Sequence, residues 1–366
     1  MAAEVIHLSG TAVVEDHTEL SDLWLVDGQI RFDKPLGVVS RQIDGVVLPG
    51  LVDVHCHVGL SPKGAVPPEL ARVQAITNRD AGVLLIRDGG VAQQPHSTRW
   101  MDQDPAMPRL LRCGQHIARF KRYQPHIGLE AEPDNLAAMA SAQAKVGDGW
   151  VKLVGDWIDR TMDQPDLALL WPDQALAGAI NQVHALGARV TMHVFSHQGA
   201  AQALRCGVDC IEHGFGMDAA LMDQAVSQGV AVVPTMLQRA NLIKIAQAGQ
   251  EKYPVWAAHL NALYQARFTQ AKQLFQAGVP LLLGTDPSPG IKHGQLAAEA
   301  AAMVQAGIPA AAVVKAASWG ARRFLGVPGL ADAAPADLVV YRADPREDIF
   351  QLGSPKAVIL RGIQVA

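Results

Sequence analysis

His55 and His57 close a short apolar run, Leu48-Pro49-Gly50-Leu51-Val52-Asp53-Val54-His55-Cys56-His57. Side chains on an extended strand alternate faces, so positions i and i+2 point the same way. The two imidazoles therefore stand side by side at the end of a buried strand. Neutral imidazole is a common ligand of zinc and similar divalent ions. Further ligand-type residues end later apolar runs: Lys152 in Trp150-Val151-Lys152-Leu153-Val154, His193 after Val190-Thr191-Met192, His213 in Ile211-Glu212-His213-Gly214, and Asp286 after Leu283-Gly284-Thr285. Taken singly, His193 and His213 could be core histidines and Asp286 the N-cap of a turn. Ending neighbouring strands together, they read as a metal-ligand set.

Lys152 is the odd member. Alternation places it on the face of Trp150 and Val154. A buried ammonium is costly and tends to lose its proton. A neutral amine can take up carbon dioxide as a carbamate, whose two oxygens can bridge two metals. The alternative is an ammonium paired with a carboxylate such as Asp156, or one facing solvent. Asp53 reads as structural, Asp88-Gly89-Gly90 as a turn, and Glu212 as facing away from His213, since neighbours alternate.

These residues must be positioned by repeating elements. Residues 1–48 carry short β-rich pieces, with Asp27-Gly28 as a hairpin turn. From residue 49 short apolar strands alternate with amphipathic helices, a pattern of βα units on a parallel sheet. Eight strands are expected to end near His57, Asp88, Gly114, Val154, His193, His213, Pro234 and Asp286. Helices are expected over 134–146, 172–186, 199–206, 219–228 and 255–276, with a closing helix over 309–324. Gly82, Gly187, Gly207, Gly229 and Gly278 sit where helix C-terminal glycines sit. The reading is an α/β fold: a (β/α)8 TIM barrel over 49–327, and a small β-sandwich domain from both chain ends, 1–48 and 328–366. In such barrels the C-terminal strand ends carry the active site. No Gly-x-Gly-x-x-Gly loop follows the first strand, which argues against a dinucleotide-binding open sheet.

Composition narrows the partners. The 366 residues carry 31 Lys and Arg against 35 Asp and Glu, a net charge of −4, so no nucleic-acid or anionic-membrane partner is implied. No apolar run reaches membrane-spanning length. The start, Met1 to His7, lacks the basic and long apolar regions of a secretory signal. Cys56, Cys113, Cys206 and Cys210 show no paired spacing, and read as reduced thiols of a cytoplasmic protein. The expected partner is a small-molecule substrate. Alanine-rich helices allow a homo-oligomer.

The whole pattern resembles the metal-dependent amidohydrolase superfamily, in its imidazolonepropionase-like and prolidase-like branch. The resemblance rests on the run 49–57, Val151-Lys152-Leu153, Thr191-Met192-His193, Glu212-His213-Gly214, Gly284-Thr285-Asp286, Ala317-Ser318-Trp319-Gly320-Ala321-Arg322-Arg323-Phe324-Leu325-Gly326 and Ala336-Asp337-Leu338-Val339-Val340. The spacings fit too: 41 residues from Lys152 to His193, 20 to His213 and 73 to Asp286. The resemblance implies two divalent metals, zinc first. His55, His57 and Asp286 would hold one, and His193 and His213 the other. Carboxylated Lys152 and a hydroxide would bridge them. It implies hydrolysis of a C–N bond in an amide, dipeptide, carbamate or cyclic amide, with Asp286 carrying the proton to the leaving nitrogen. His116 matches a substrate-contacting histidine of relatives and counts as a catalytic candidate. His116, Arg119 and Tyr123 are the substrate-binding candidates, with Lys121 and Arg122 completing a basic loop suited to a carboxylate. His197, Lys292 and His293 are weaker.

Two departures bear on the substrate. Dipeptide-cleaving relatives place a tyrosine shortly after the strand-five histidine; here the stretch is His193-Val194-Phe195-Ser196-His197. Phenylalanine donates no hydrogen bond, so another donor such as His116 must serve, or the substrate is no peptide. Deaminases of the superfamily carry a glutamate where Ser196 stands. The alternatives are a mononuclear deaminase or imidazolonepropionase-type cyclic amide hydrolase, and a non-catalytic barrel scaffold.

Overall fold

The computed structural model describes residues 5–90 and 98–366. The reading of Met1 to Glu4 as free of a signal therefore lies outside the described residues. The fold is mixed α/β. The chain begins with β1 (Val5–Glu15), β2 (Thr18–Val26), β3 (Gln29–Arg31) and β4 (Val39–Pro49). Then come β5 (Leu51–Cys56), a short hairpin of β6 (Leu60–Ser61) and β7 (Gly64–Ala65), α1 (Pro68–Asp80), β8 (Val83–Asp88), β9 (Arg109–Arg112), β10 (Ile117–Arg119) and β11 (Leu129–Ala131). The middle holds α2 (Leu136–Val146), β12 (Trp150–Val154), a hairpin of β13 (Asp156–Asp159) and β14 (Asp166–Leu169), α3 (Asp173–Ala185), β15 (Arg189–Val194), α4 (His197–Cys206), β16 (Cys210–His213), α5 (Ala219–Gln228) and β17 (Ala231–Val233). Six helices follow: α6 (Met236–Gly249), α7 (Pro254–Gln265), α8 (Arg267–Gln276), α9 (Leu296–Gln305), α10 (Ala310–Ala317) and α11 (Trp319–Leu325). The chain closes with β18 (Leu338–Tyr341), β19 (Ala357–Leu360) and β20 (Ile363–Gln364).

Both chain ends meet in one seven-stranded sheet, ordered β20-β19-β18-β4-β1-β2-β3. The two ends thus share one sheet, and a bridge between Gln29 and Pro335 brings β3 back beside the segment before β18. The reason lies in β4 and β18, which pair directly, Leu48 opposite Val339, and fuse the ends edge to edge. Alternation then sorts the side chains. Leu338 and Val340 join Leu8, Leu23, Leu25 and Ile30 in a core belonging to this sheet. Val339 and Tyr341 face the other way, into the core with Met303, Val313 and Val314.

The middle strands run parallel. β5, β8 and β9 form one sheet, and β10, β12, β15, β16 and β17 pair in turn in a second. The helices cover one face: Val151, Leu153, Val190, Met192 and Val232 pack on Ala140, Leu176, Ile180, Leu204 and Ala225. The other face gathers Val52, Val54, Leu85, Leu111, Trp150, Cys210, Val233 and Leu282 into one cluster.

The eighth expected strand is not regular. Only Leu281 bridges, to Val232, because Pro280 offers no N–H and Asp286 turns left-handed at φ 49°. Backbone bonds still seat the segment between β17 and β5: Leu282 N to Val232 O at 3.0 Å, Val54 N to Leu283 O at 2.9 Å, and Asp286 N to His55 O at 2.7 Å. Two expected helices are broken. The helix over 255–276 parts at Ala266, where the Arg267 guanidinium lies over the Tyr264 and Phe268 rings and donates to Tyr264 O at 3.0 Å. The closing helix parts at Ser318, whose hydroxyl donates to Pro49 O at 2.7 Å.

Candidate metal centre

Strand ends bring the ligand candidates together. The Oδ1 atom of Asp286 stands 3.4 Å from Nε2 of His55 and 3.4 Å from Nε2 of His57. His55, His213 and Asp286 offer ligand atoms all within 4.8 Å of one another. Two ligands at about 2.1 Å on a tetrahedral ion lie about 3.4 Å apart, so these separations suit a cation between them. The His193 ring centroid lies 4.6 Å from that of His213, which lies 5.0 Å from that of His55.

The imidazoles are prepared as ligands. Burial pushes His55, His193 and His213 well below the ordinary histidine range, so their lone pairs are free. For His57 burial opposes the charged form, but the facing Asp286 carboxylate prevails and raises it. Outer partners fix the rings. The Nδ1 atom of His57 donates to Gly90 O at 3.1 Å, and Nδ1 of His213 pairs with Thr235 Oγ1 at 2.8 Å, leaving each Nε2 for the site. Nδ1 of His55 and Nε2 of His193 are buried without hydrogen bonds. This set of neutral nitrogens, carboxylate and orphaned polar atoms fits a divalent metal.

Close packing sets the positions. A Cβ on Gly284 would lie 2.5 Å from His55 Cβ, so only glycine lets the segment before Asp286 pass the first histidine. Asp53 behaves as its sequence context suggests: its carboxylate accepts from His55 N and Thr285 N, both at 3.1 Å, and from Thr285 Oγ1 at 2.5 Å, tying the first and last segments. Asp88 accepts from Val58 N and Gly90 N and so holds its turn.

Glu212 corrects its expected orientation. It does not face away from the site. His213 adopts a left-handed φ of 69°, which breaks the alternation and lets adjacent residues reach one centre. Glu212 is fully buried, its Oε2 abuts Lys152 Nζ, and the same oxygen lies 3.5 Å from His55 Nε2. Lys152 therefore pairs with Glu212 and not with Asp156. Asp156 instead accepts from Phe195 N at 2.9 Å and from Ser196 N and Oγ at 2.6 Å, securing the turn after β15. Burial pulls the Lys152 ammonium down to about 8, against the pull of Asp286. Lys152 Nζ is also 3.4 Å from His55 Nε2.

Sequence reading missed the hub beneath this pair. Arg87 is fully buried; its Nε donates to Val54 O at 2.8 Å, and Nη2 reaches Thr191 Oγ1 at 3.2 Å and Glu212 Oε1 at 3.3 Å. Its guanidinium lies over Trp150 at 4.5 Å. The signal was an arginine inside the apolar run Val83-Leu84-Leu85-Ile86-Arg87, since a buried charge needs a partner. Also missed was Glu299, whose carboxylate accepts from Met236 N at 2.6 Å and Leu237 N at 2.8 Å, just past left-handed Thr235.

Burial raises Glu299 from 4.5 to about 8. Below 4.5 the carboxyl is neutral in both folded and unfolded chains. Between 4.5 and 8 the unfolded chain ionises first, so folding loses stability as pH rises. Glu299→Gln abolishes this dependence. Urea titrations at pH 5 and pH 8 are expected to show the parent losing stability relative to the variant. A constant difference would rule out the shift.

The loop candidates fall into two groups. His116 is buried, 6.1 Å ring to ring from His57 and 5.8 Å from Tyr123. Arg119 and Arg122 are already engaged: Arg119 Nη1 donates to Leu170 O at 3.2 Å with Glu132 at 3.7 Å, and Arg122 lies 3.1 Å from Asp159. His197 is exposed and pairs with Asp218 at 3.0 Å. His293 contacts Asn78 at 3.1 Å and Cys56 Sγ at 3.6 Å, behind the first strand. Lys292 is exposed.

Strand ends on a mixed α/β frame thus gather imidazoles and a carboxylate into a group that could hold a metal ion, a site of the kind hydrolases use. The chain belongs to the amidohydrolase family, whose model matches residues 46–365. It is a hydrolase acting on carbon–nitrogen bonds. An uncharacterized protein of Mycobacterium tuberculosis is 44% identical over 358 residues, 98% of this chain and 95% of its own length. A Xaa-Pro dipeptidase with bound methionine in its active site matches with a TM-score of 0.81 and 22% identity, over 99% of each chain. The A. niger ochratoxinase matches with a TM-score of 0.80 and 19% identity, over 99% of this chain and 95% of its own. At these identities the solved structures show the fold alone. Among the described residues no helix is long and apolar enough to cross a membrane.

Proposed function

We propose that the chain is a cytoplasmic, binuclear metal hydrolase of small amides, dipeptides, carbamates or cyclic amides, built as a (β/α)8 barrel. The barrel spans 49–327, with 1–48 and 328–366 as the small β domain. Closure is supported by the reach of Arg87 from β8 to β5, β12, β15 and β16, and by the segment after Pro280 joining β17 to β5. The observation that carries the function is Asp286 Oδ1 at 3.4 Å from both His55 and His57.

His55, His57 and Asp286 would hold one metal and His193 and His213 the second, with carboxylated Lys152 between them. Zinc fits the histidine-rich donor set. Bound there, the metals would activate water and polarise the scissile carbonyl. Asp286 takes the proton from the attacking water and delivers it to the leaving nitrogen. Of the loop candidates, Tyr123 contacts the substrate, and the aromatic side chains around His193 exclude water. The pairing of Arg119 and Arg122 with carboxylates favours substrates without a free carboxylate.

Metal content is the test. Protein from metal-replete growth is expected to carry about two equivalents per chain. Asp286→Asn is expected to keep most of that metal while kcat falls about 10³-fold, roughly 4 kcal/mol of barrier. One equivalent would favour the mononuclear reading, and unchanged kcat would remove Asp286 as proton carrier.

A further inference from the structure

Carbonyl hydrolysis puts negative charge on oxygen, and a fixed donor aimed at that oxygen is worth about 10²–10³ in kcat. Phe195 cannot be that donor. It is buried, with its ring 4.4 Å from His193, 4.9 Å from His213 and 4.9 Å from Phe215. The hydroxyls nearby are committed: Thr191 to Glu212, Thr235 to His213 and Ser196 to Asp156. His116 is closed off. Both its ring nitrogens are buried without hydrogen bonds, and Gly128 packs so tightly that a Cβ there would lie 2.4 Å from the ring, so the ring has no room to turn outward.

Tyr123 is different. It is half-buried, and its hydroxyl makes no hydrogen bond among the described residues. Its ring is held edge-on by Trp157 at 4.6 Å, His116 at 5.8 Å and His193 at 6.0 Å. A phenol hydroxyl is both a hydrogen-bond donor and an acceptor, which phenylalanine is not.

We propose that the Tyr123 hydroxyl, reaching in from the loop after β10, holds the substrate's carbonyl oxygen in the place that Phe195 leaves without a donor. Tyr123 is then a catalytic residue contributed from a different strand end. Trp157, on the β13 hairpin, fixes its ring. This rests on the hydrolase reading above, but it can fail separately.

The test compares metal-replete wild type, Tyr123→Phe and His116→Gln. Calorimetry with methylphosphonate, a tetrahedral oxyanion mimic, and with planar acetate reads the donor without turnover. Tyr123→Phe is expected to weaken methylphosphonate about tenfold and leave acetate within twofold. On 4-nitroacetanilide its kcat is expected to fall about 10²-fold with KM within threefold and metal content unchanged. Adding Phe195→Tyr is expected to restore part of the loss. Equal methylphosphonate affinity in wild type and Tyr123→Phe, no binding by either, or a loss confined to His116→Gln overturns the proposal. Should wild type hydrolyse no amide while methylphosphonate still distinguishes Tyr123→Phe, the amide reaction falls and the assignment of Tyr123 stands.

Discussion

Lys152→Ala is expected to remove at least one metal equivalent and to lower kcat/KM at least about 10³-fold, roughly 4 kcal/mol. The reasoning starts from burial. The ammonium is pulled to about 8, so a neutral amine is accessible near physiological pH, and it stands 3.4 Å from His55 Nε2 among the ligand candidates. A carbamate there supplies two oxygens and a negative charge that alanine lacks. The fold is expected to survive, because Glu212 keeps Arg87 at 3.3 Å as its counter-charge after the lysine is gone. Loss of metal can therefore be read without unfolding. Bicarbonate with a short-chain carboxylic acid is expected to restore part of both metal and activity, by filling the space between the ligands. Metal analysis and steady-state kinetics on the same preparations decide it. An alanine variant with full metal content and normal turnover would remove Lys152 from the centre.

The ligand candidates were legible because their strands are short and regular: period-two alternation carries His55, His57, Lys152 and His193 to one side without any tertiary information. Alternation failed where the backbone left the strand conformation. His213 and Asp286 both turn left-handed, at φ 69° and 49°, and no residue type in Glu212-His213-Gly214 announces that turn. Glu212 was therefore placed on the wrong side. The helix breaks at Ala266 and Ser318 were hidden for a related reason. Each coincides with a tertiary hydrogen bond, from Arg239 Nε to Leu263 O beside Ala266 and from Ser318 to Pro49 O, in stretches whose propensity favours continuous helix. The end sheet was foreseen as strands but not as one sheet, because the β4–β18 pairing joins residues nearly 300 positions apart and leaves no local mark. The basic loop after β10 looked like a carboxylate trap in sequence. Asp159 and Glu132, distant in sequence from Arg122 or on the opposite side of the loop from Arg119, are what engage it.

Glu212→Ala is expected to cost about 3–5 kcal/mol of stability in metal-free protein. One carboxylate serves two buried cations, Lys152 and Arg87, and removing it strands both in a site from which water is excluded. Lys152 can shed its proton; Arg87 keeps its charge and retains Val54 O, Thr191 Oγ1, the weak acceptor Cys210 Sγ and the Trp150 face. Glu212→Gln, which keeps a hydrogen-bond acceptor for Arg87, is expected to cost less. Denaturant midpoints at constant m-value measure both. A double-mutant cycle with Lys152→Met then separates the two cations. In chelator-treated protein without bicarbonate the cycle is expected to show favourable coupling between Lys152 and Glu212. With metal and bicarbonate the coupling is expected to vanish or change sign, because a carbamate on Lys152 is an anion and no longer attracts the carboxylate. Coupling that stays favourable and equal in both conditions would mean that Lys152 remains an ammonium, a structural cation beside Glu212 and not a bridge between metals.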